Sequence, residues 1–138
     1  MNYLLDTCVL SEFRKKTPEP RVLEWIGRQH EESLFLSVVT IGEIQKGISR
    51  LPLSKRRREL TAWLDAIIFR YDDRTLVLDS EVMRTWGSLS AGLELKGRVL
   101  PAADSFIAAT AAVHDLTVVT KNENDFAGAG VRILNVWK

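Results

Sequence analysis

Leu100–Asp125, LPAADSFIAATAAVHDLTVVTKNEND, carries a helix, a turn, a buried strand and a polar loop in succession. Pro101 suits the first helical position, where a missing N–H costs nothing. The alanines at 102, 103, 108, 109, 111 and 112 combine high helix propensity with a low profile, so this helix can lie close on a sheet. His114-Asp115 closes it. Leu116–Thr120 is short, apolar and β-rich with little alternation, which predicts a strand covered on both faces. It stops abruptly in Lys121-Asn122-Glu123-Asn124-Asp125. In open α/β sheets ligands bind outside the carboxyl ends of the strands, so this loop overlooks any site. Asp104, in the first turn of an otherwise apolar helix, faces the same edge.

The remainder of the chain follows the same alternation. Tyr3–Leu5 is read as a strand ending at Asp6-Thr7. A helical pattern begins at Val9, with Thr7 or Ser11 as its cap. A polar, proline-bearing connection leads to a helix with Val22, Leu23, Trp25 and Ile26 on one face. Leu34–Val39 is the second strand and Thr40–Leu51 the helix after it. Ser54 caps a helix to about Arg70, Leu76–Leu78 is a third strand, and Asp79-Ser80 cap a helix to about Leu95. Phe126-Ala127 is read as a helical turn and Val131–Leu134 as the last strand. Strands alternating with helices predict an α/β protein: three layers, α/β/α, around a mostly parallel central sheet. No linker or repeat interrupts residues 1–138, which read as a single domain.

Composition narrows the classes. Hydrophobic content of 46% and charged content of 27% over 138 residues describe an ordinary globular chain. A net charge of +1 leaves nucleic-acid binding to a local basic patch. The single cysteine, Cys8, excludes an internal disulfide and suits a reducing cytoplasm. The start MNYLLDTC does not form a signal peptide, and no apolar run approaches the roughly 18–20 residues of a membrane span.

Three acids share one placement. Asp6 follows the first strand, Glu43 opens the helix after the second, and Asp104 opens the helix of the stretch quoted above. Parallel strands bring all three to the carboxyl edge of the sheet, with Asp125 as a fourth. Two like charges 4 Å apart repel by about 4 kcal/mol at an effective dielectric near 20. Such a cluster takes up protons or binds a cation. An all-oxygen donor set suits Mg²⁺ or Mn²⁺, and the chemistry then available is metal-assisted phosphodiester hydrolysis. Singly, each acid also has a structural reading. Glu43 completes a capping box with Thr40. Asp104 complements a helix dipole, and Asp125 serves as a loop or cap residue. For Asp6, directly after an apolar strand, no such role is evident.

Four stretches in order make the pattern specific: Leu4–Glu12 (LLDTCVLSE), Thr40–Gly47 (TIGEIQKG), Ala102–Ala111 (AADSFIAATA), and Val118–Asn122 (VVTKN) leading to Asp125-Phe126. Through them nearly the whole chain resembles the PIN-domain ribonucleases, and among these the VapC-type toxins of bacterial toxin–antitoxin modules. The resemblance implies a Mg²⁺- or Mn²⁺-dependent endoribonuclease. Asp6, Glu43 and Asp104 match its metal-binding acids, and Thr7 matches a position whose hydroxyl supports the site, with Thr120 beside it. The fourth acid falls on Asn122 in some relatives and three residues on in others, matching Asp125. Cys8 stands where relatives usually carry Asn. The resemblance further implies an RNA substrate, a cognate antitoxin and a homodimer, with Phe13, Trp25, Ile48 and Trp63 as apolar contributors to such surfaces.

Two basic stretches, Arg14-Lys15-Lys16 and Lys55–Arg58, are candidates for phosphate contact, the first better placed because it follows Asp6 closely. Gly128-Ala129-Gly130 precedes a strand and so is not a nucleotide loop. No Cys/His spacing suggests zinc. Two rival readings remain. A phosphatase with Asp6 as nucleophile wants a second acid where this chain has Cys8. A catalytically inactive PIN-like module would bind RNA or protein without cutting it.

Overall fold

The computed structural model describes all residues, Met1–Lys138. Five strands form one sheet in the order β3-β2-β1-β4-β5: β1 (Tyr3–Leu5), β2 (Leu34–Ser37), β3 (Thr75–Leu76), β4 (Thr117–Val119) and β5 (Ile133–Leu134). Every pairing is parallel, with Leu4 opposite both Phe35 and Val118. The helices are α1 (Thr7–Glu12), α2 (Pro20–Gly27), α3 (Val38–Ser49), α4 (Lys55–Arg70), α5 (Ser80–Leu95), α6 (Ala102–His114) and α7 (Glu123–Phe126). The predicted three-layer α/β/α arrangement with a parallel sheet is the one observed.

Side chains alternate between two cores because successive strand residues point to opposite faces. Leu4 and Val118 pack under α5 and α6 with Leu93, Ile107, Ala108, Ala111 and Phe126. Leu5, Leu34, Leu36 and Val119 pack on the other face with Val9, Leu10, Val22 and Tyr71. The alanine face of α6 is fully buried at 108 and 109, as its low profile predicts. Asp115 then turns the chain in the left-handed conformation, φ 53°, at the position after the helix end that tolerates it.

Several boundaries move by a residue or more, each for a local reason. α1 starts at Thr7 because Asp6 itself is the N-cap, its carboxylate accepting from the Thr7 N–H. Neither Thr7 nor Ser11 caps it. β2 stops at Ser37, whose hydroxyl caps α3 at Val39 N–H, so Thr40 lies inside α3 and the Thr40–Glu43 capping box does not form. Pro101 sits one position before α6 rather than at its first residue. Ile48 is buried at 3% exposure, and Trp25 packs edge-on against Tyr3 with ring centroids 4.8 Å apart. Both pack toward the core, Trp25 only in part.

Strand order identifies the edge that matters. β1 connects outward to β2 and β3, and the chain then crosses back to pair β4 on the other side of β1. The carboxyl ends of β1 and β4 are therefore a topological switch point, where open sheets leave a crevice. Leu4→Ala should cost about 2–5 kcal/mol in urea unfolding, because Leu4 is 0% exposed. Phe69→Ala should stay within about 0.5 kcal/mol, because Phe69 is 87% exposed.

Candidate active site

At the switch point Asp6 and Thr120 leave adjacent strands and meet. The Asp6 N–H donates to Val119 O across 3.0 Å. The Thr120 hydroxyl donates to Asp6 Oδ2 at 2.7 Å and accepts from the Asn122 N–H at 3.0 Å. The Thr7 N–H reaches Asp6 Oδ1 at 2.8 Å. A carboxylate 4% exposed is thus fixed by neutral donors. The Thr7 hydroxyl turns the other way and donates to Glu43 Oε1 at 2.6 Å, which orients an otherwise exposed side chain.

Asp104 and Asp125 complete the edge. Asp104, half-buried in the first turn of α6, has its carboxyl pushed up to about 6. Burial is the first cause, followed by the charges of Asp6, Asp125 and Glu43. The three acids read from sequence therefore share one field with Asp125, which the short α7 carries into it. Asn122 stands differently: its backbone N–H serves Thr120, and its side-chain amide bonds to none of the acids. None of the four carboxylates forms an ion pair, and no three acidic, His or Cys side chains close around a single point.

This donor set fits a hard divalent ion. It is all oxygen, it carries four negative charges, and it has no lysine or arginine in contact. Mg²⁺ in particular is held by one or two carboxylates plus waters and phosphate oxygens rather than by a closed protein cage. Asp6, Asp125 and Glu43 all act on the charge of Asp104, and Thr7 sets the Glu43 side chain.

Cys8 lies under the site. Its Sγ is 3.8 Å from Asp6 Oδ2 and 3.7 Å from Thr120 Oγ1, and it accepts from the Lys121 N–H at 3.5 Å. Burial pushes the thiol up, so it stays protonated and acts as a weak donor toward Asp6. The structure gives it a supporting contact and no nucleophilic one.

Sequence reading missed Glu12. At 3% exposure, its carboxylate accepts from the Glu19 N–H at 2.9 Å and the Trp137 indole N–H at 3.3 Å, and pairs with Lys15 at 2.9 Å. Burial opposes its charge, yet Lys15 and these two donors hold the carboxyl below its ordinary range. The signal was available: an acid between Leu10 and Phe13 on a helix whose neighbours are core residues.

A cavity of about 670 Å³ runs from Thr7 and Glu43 past Arg14, Lys15, Lys16 and Arg56 to Trp63. Behind Trp63 a second, apolar one of about 320 Å³ is lined by Phe13, Ile26 and Tyr71 among others. Of the apolar residues expected at partner surfaces, Phe13, Ile48 and Trp63 line one or other of these grooves and Trp25 lines neither.

An open parallel α/β sheet with an acidic crevice at its switch point defines the class. More particularly, the chain belongs to the PIN domain family, whose model matches residues 3–131. It is 36% identical over 136 residues to VapC ribonuclease Y4jK of Sinorhizobium fredii, covering 98% of this chain and 97% of that one. It is 33% identical to toxin FitB of Neisseria gonorrhoeae, covering 97% of both. The crystal structure of FitAcB from the same organism superposes with a TM-score of 0.92 at 33% identity over 98% of each chain.

The raised Asp104 carboxyl has a stability consequence. A folded value near 6 against an unfolded value near 3.8 means the folded state pays for ionising Asp104. That cost is absent below about pH 4, grows between pH 4 and 6, and is complete above. Asp104→Asn should therefore stabilise metal-free protein at pH 7.5 by about 1 kcal/mol, after allowance for solvent screening of a half-exposed group. Urea unfolding across pH should show the gain vanishing near pH 4.

Proposed function

We propose that this chain is a divalent-metal-dependent endoribonuclease, the toxin of a toxin–antitoxin module, acting in the cytoplasm on RNA phosphodiester bonds. The observation that carries the reading is the acidic switch point: four carboxylates in one field, one of them buried on neutral donors, with no cation in contact. Membership of the PIN domain family and similarity to a VapC ribonuclease and to toxin FitB support it.

Asp6, Glu43 and Asp104 are the residues that would hold Mg²⁺ or Mn²⁺, with Asp125 as the fourth acid. Bound there, the ion would stabilise charge on the scissile phosphate and acidify the attacking water. The protein's own part is positioning. Thr120, Thr7 N–H and Cys8 hold Asp6 so that its charge points into the crevice at a fixed angle. Thr7 does the same for Glu43. Asp125, exposed on α7, would add its charge to the same field, which it already shares with Asp104. Asn122 supports the Thr120 hydroxyl through its backbone.

The partners follow from the same reading. A cognate antitoxin covers the crevice and its flanking grooves, as an antitoxin-bound toxin must leave no room for RNA. The toxin itself is a homodimer. No helix here is long and apolar enough to cross a membrane.

Purified, antitoxin-free protein should cut total RNA into discrete fragments with Mg²⁺ or Mn²⁺ and leave it intact with EDTA. Asp104→Asn and Asp6→Asn should each lower the rate by at least about a hundredfold while the circular dichroism spectrum is retained. Cleavage by both variants at the wild-type rate would sink the reading. Independently of activity, millimolar Mn²⁺ should raise the Tm of the wild-type protein by mass action and leave that of Asp104→Asn nearly unmoved.

A further inference from the structure

Beside the acidic crevice lies a groove of opposite character. Thr7 and Glu43 line its inner end, so it opens directly from the candidate site. Arg14, Lys16 and Arg56 stand along its rim, all exposed and none in an ion pair. Two of the other cations of the same basic helix start are engaged elsewhere, and Arg58 lines a separate pocket with Thr61 and Asp65. Lys55 pairs with Glu59, and Arg57 donates to Leu51 O. Only Arg56 of that run lines this groove.

At the far end the half-buried Trp63 presents an indole with the Arg14 guanidinium 5.6 Å from its centroid. A cation resting on an aromatic face marks a surface on which a base can stack. Between the rim and the tryptophan, one turn beyond Glu43, α3 carries Gly47 on the groove wall. Gly47 sits in the last turn of α3, and a helical glycine is destabilising relative to alanine. Nothing lies within 4 Å of where its Cβ would be, so no internal packing requires it. Its lack of a side chain leaves the groove wall low at that point.

Glu12 holds the cationic side in place. The connection carrying Arg14 and Lys16 leaves α1 at Phe13 and is caught again at Glu19, whose N–H the buried Glu12 carboxylate accepts. The same carboxylate bonds the Trp137 indole, and the Arg21 side chain donates to Trp137 O. An exposed hepta-residue connection is thereby tied to the core at both ends.

We propose that this groove is the track for single-stranded RNA beyond the cleavage point: Arg14, Lys16 and Arg56 hold its phosphates, Trp63 stacks one of its bases, and Gly47 gives the strand room. The assignment rests on the ribonuclease reading and specifies how that site holds its substrate. Glu12 is a positioning residue, since it reaches the strand only through the connection it anchors. Charge favours RNA over a protein segment here. The rim cations continue the path of a phosphate chain away from the carboxylates, and an isolated nucleotide would need neither the length nor the far tryptophan.

The test uses the full chain in an Asp104→Asn background, with a fluorescein-labelled single-stranded 12-nucleotide RNA of mixed sequence read by anisotropy. Arg14→Ala, Lys16→Ala and Arg56→Ala should each weaken binding about fivefold and lower the salt slope by about 0.7. Trp63→Leu should weaken it at least about fivefold without changing that slope, and Trp63→Phe should restore most of the loss. Gly47→Leu should raise the Tm through helix propensity while weakening binding, an opposition that a structural role for Gly47 would not produce. Glu12→Gln should weaken binding while leaving the Mn²⁺-induced Tm shift of protein with intact Asp104 unchanged. In active protein the rim variants should raise KM with kcat within about twofold. Wild-type RNA binding by all the rim and Trp63 variants would overturn the proposal. So would variants that lose antitoxin binding yet keep RNA binding, which would give the groove to the protein partner. Neither result touches the ribonuclease reading, which stands or falls on metal-dependent cleavage and its loss in Asp104→Asn.

Discussion

The bond from the Thr120 hydroxyl to the Asp6 carboxylate joins the ends of the two central strands at the point where the sheet changes direction. A buried carboxylate without a cation beside it is costly unless donors satisfy it, and here each donor comes from an element that must be in place. Thr120 requires β4 in register beside β1. The Thr7 N–H requires α1 to begin immediately after β1. The Cys8 thiol requires the first turn of α1 to face the same crevice. One charge therefore checks the register of the sheet and the direction of the first helix together. The α5–α6 layer then brings Asp104 to the same edge.

The carboxylates conflict with the stability of the fold that carries them. Asp104 sits half-buried among three other acids, an arrangement that folding alone would avoid. Gly47, in the last turn of α3, lines the groove beside that crevice. Local rules fail at Asp104, which lies at the crevice. Ordinary positions obey those rules. The alanines of α6 meet the sheet as their size dictates, and Arg74, 9% exposed, lies over the Tyr71 ring with donors spent on the carbonyls of Leu34 and Arg70.

Much of this was legible from residues. Largely apolar runs of three to six residues between helical patterns predicted each strand, and the parallel order followed from their alternation with helices. Asp6, Glu43 and Asp104 were placed at one edge by that topology alone. What stayed hidden depended on contacts between distant positions. Thr40 followed by Glu43 looks like a cap because both residue types suit one, but Ser37, nearer the end of β2, takes the role first. Asp6 looked purposeless as structure because its capping of α1 shows only once β1 is known to end at Leu5. The buried role of Glu12 needs Trp137, at the other end of the chain. The separation of Arg56 from Lys55 and Arg57 needs the path of α4 past α1. Asn122 and Asp125 were open alternatives for the fourth acid. The turn into α7 separates them, sending Asp125 toward Asp104 and leaving Asn122 to serve Thr120 through its backbone.

The strand order also governs when during folding the crevice can exist. Asp6 and Thr120 are 114 positions apart, and β1 is flanked on one side by β2 and on the other by the late-arriving β4. Two of the five strands, β1 and β2, lie in the first third of the chain, but β1 stays uncovered on the β4 side until the last quarter is available. Parallel pairing over such separations is slow, because the entropy of closing the loop is lost before the contacts compensate for it. The acids thus remain scattered until nearly the whole polypeptide has been made. A chain interrupted before β4 carries Asp6, Glu43 and Asp104 but no Thr120 to hold the first of them in place. Such a fragment has three of the acids without their architecture, so synthesis of β4 gates the assembly of the crevice.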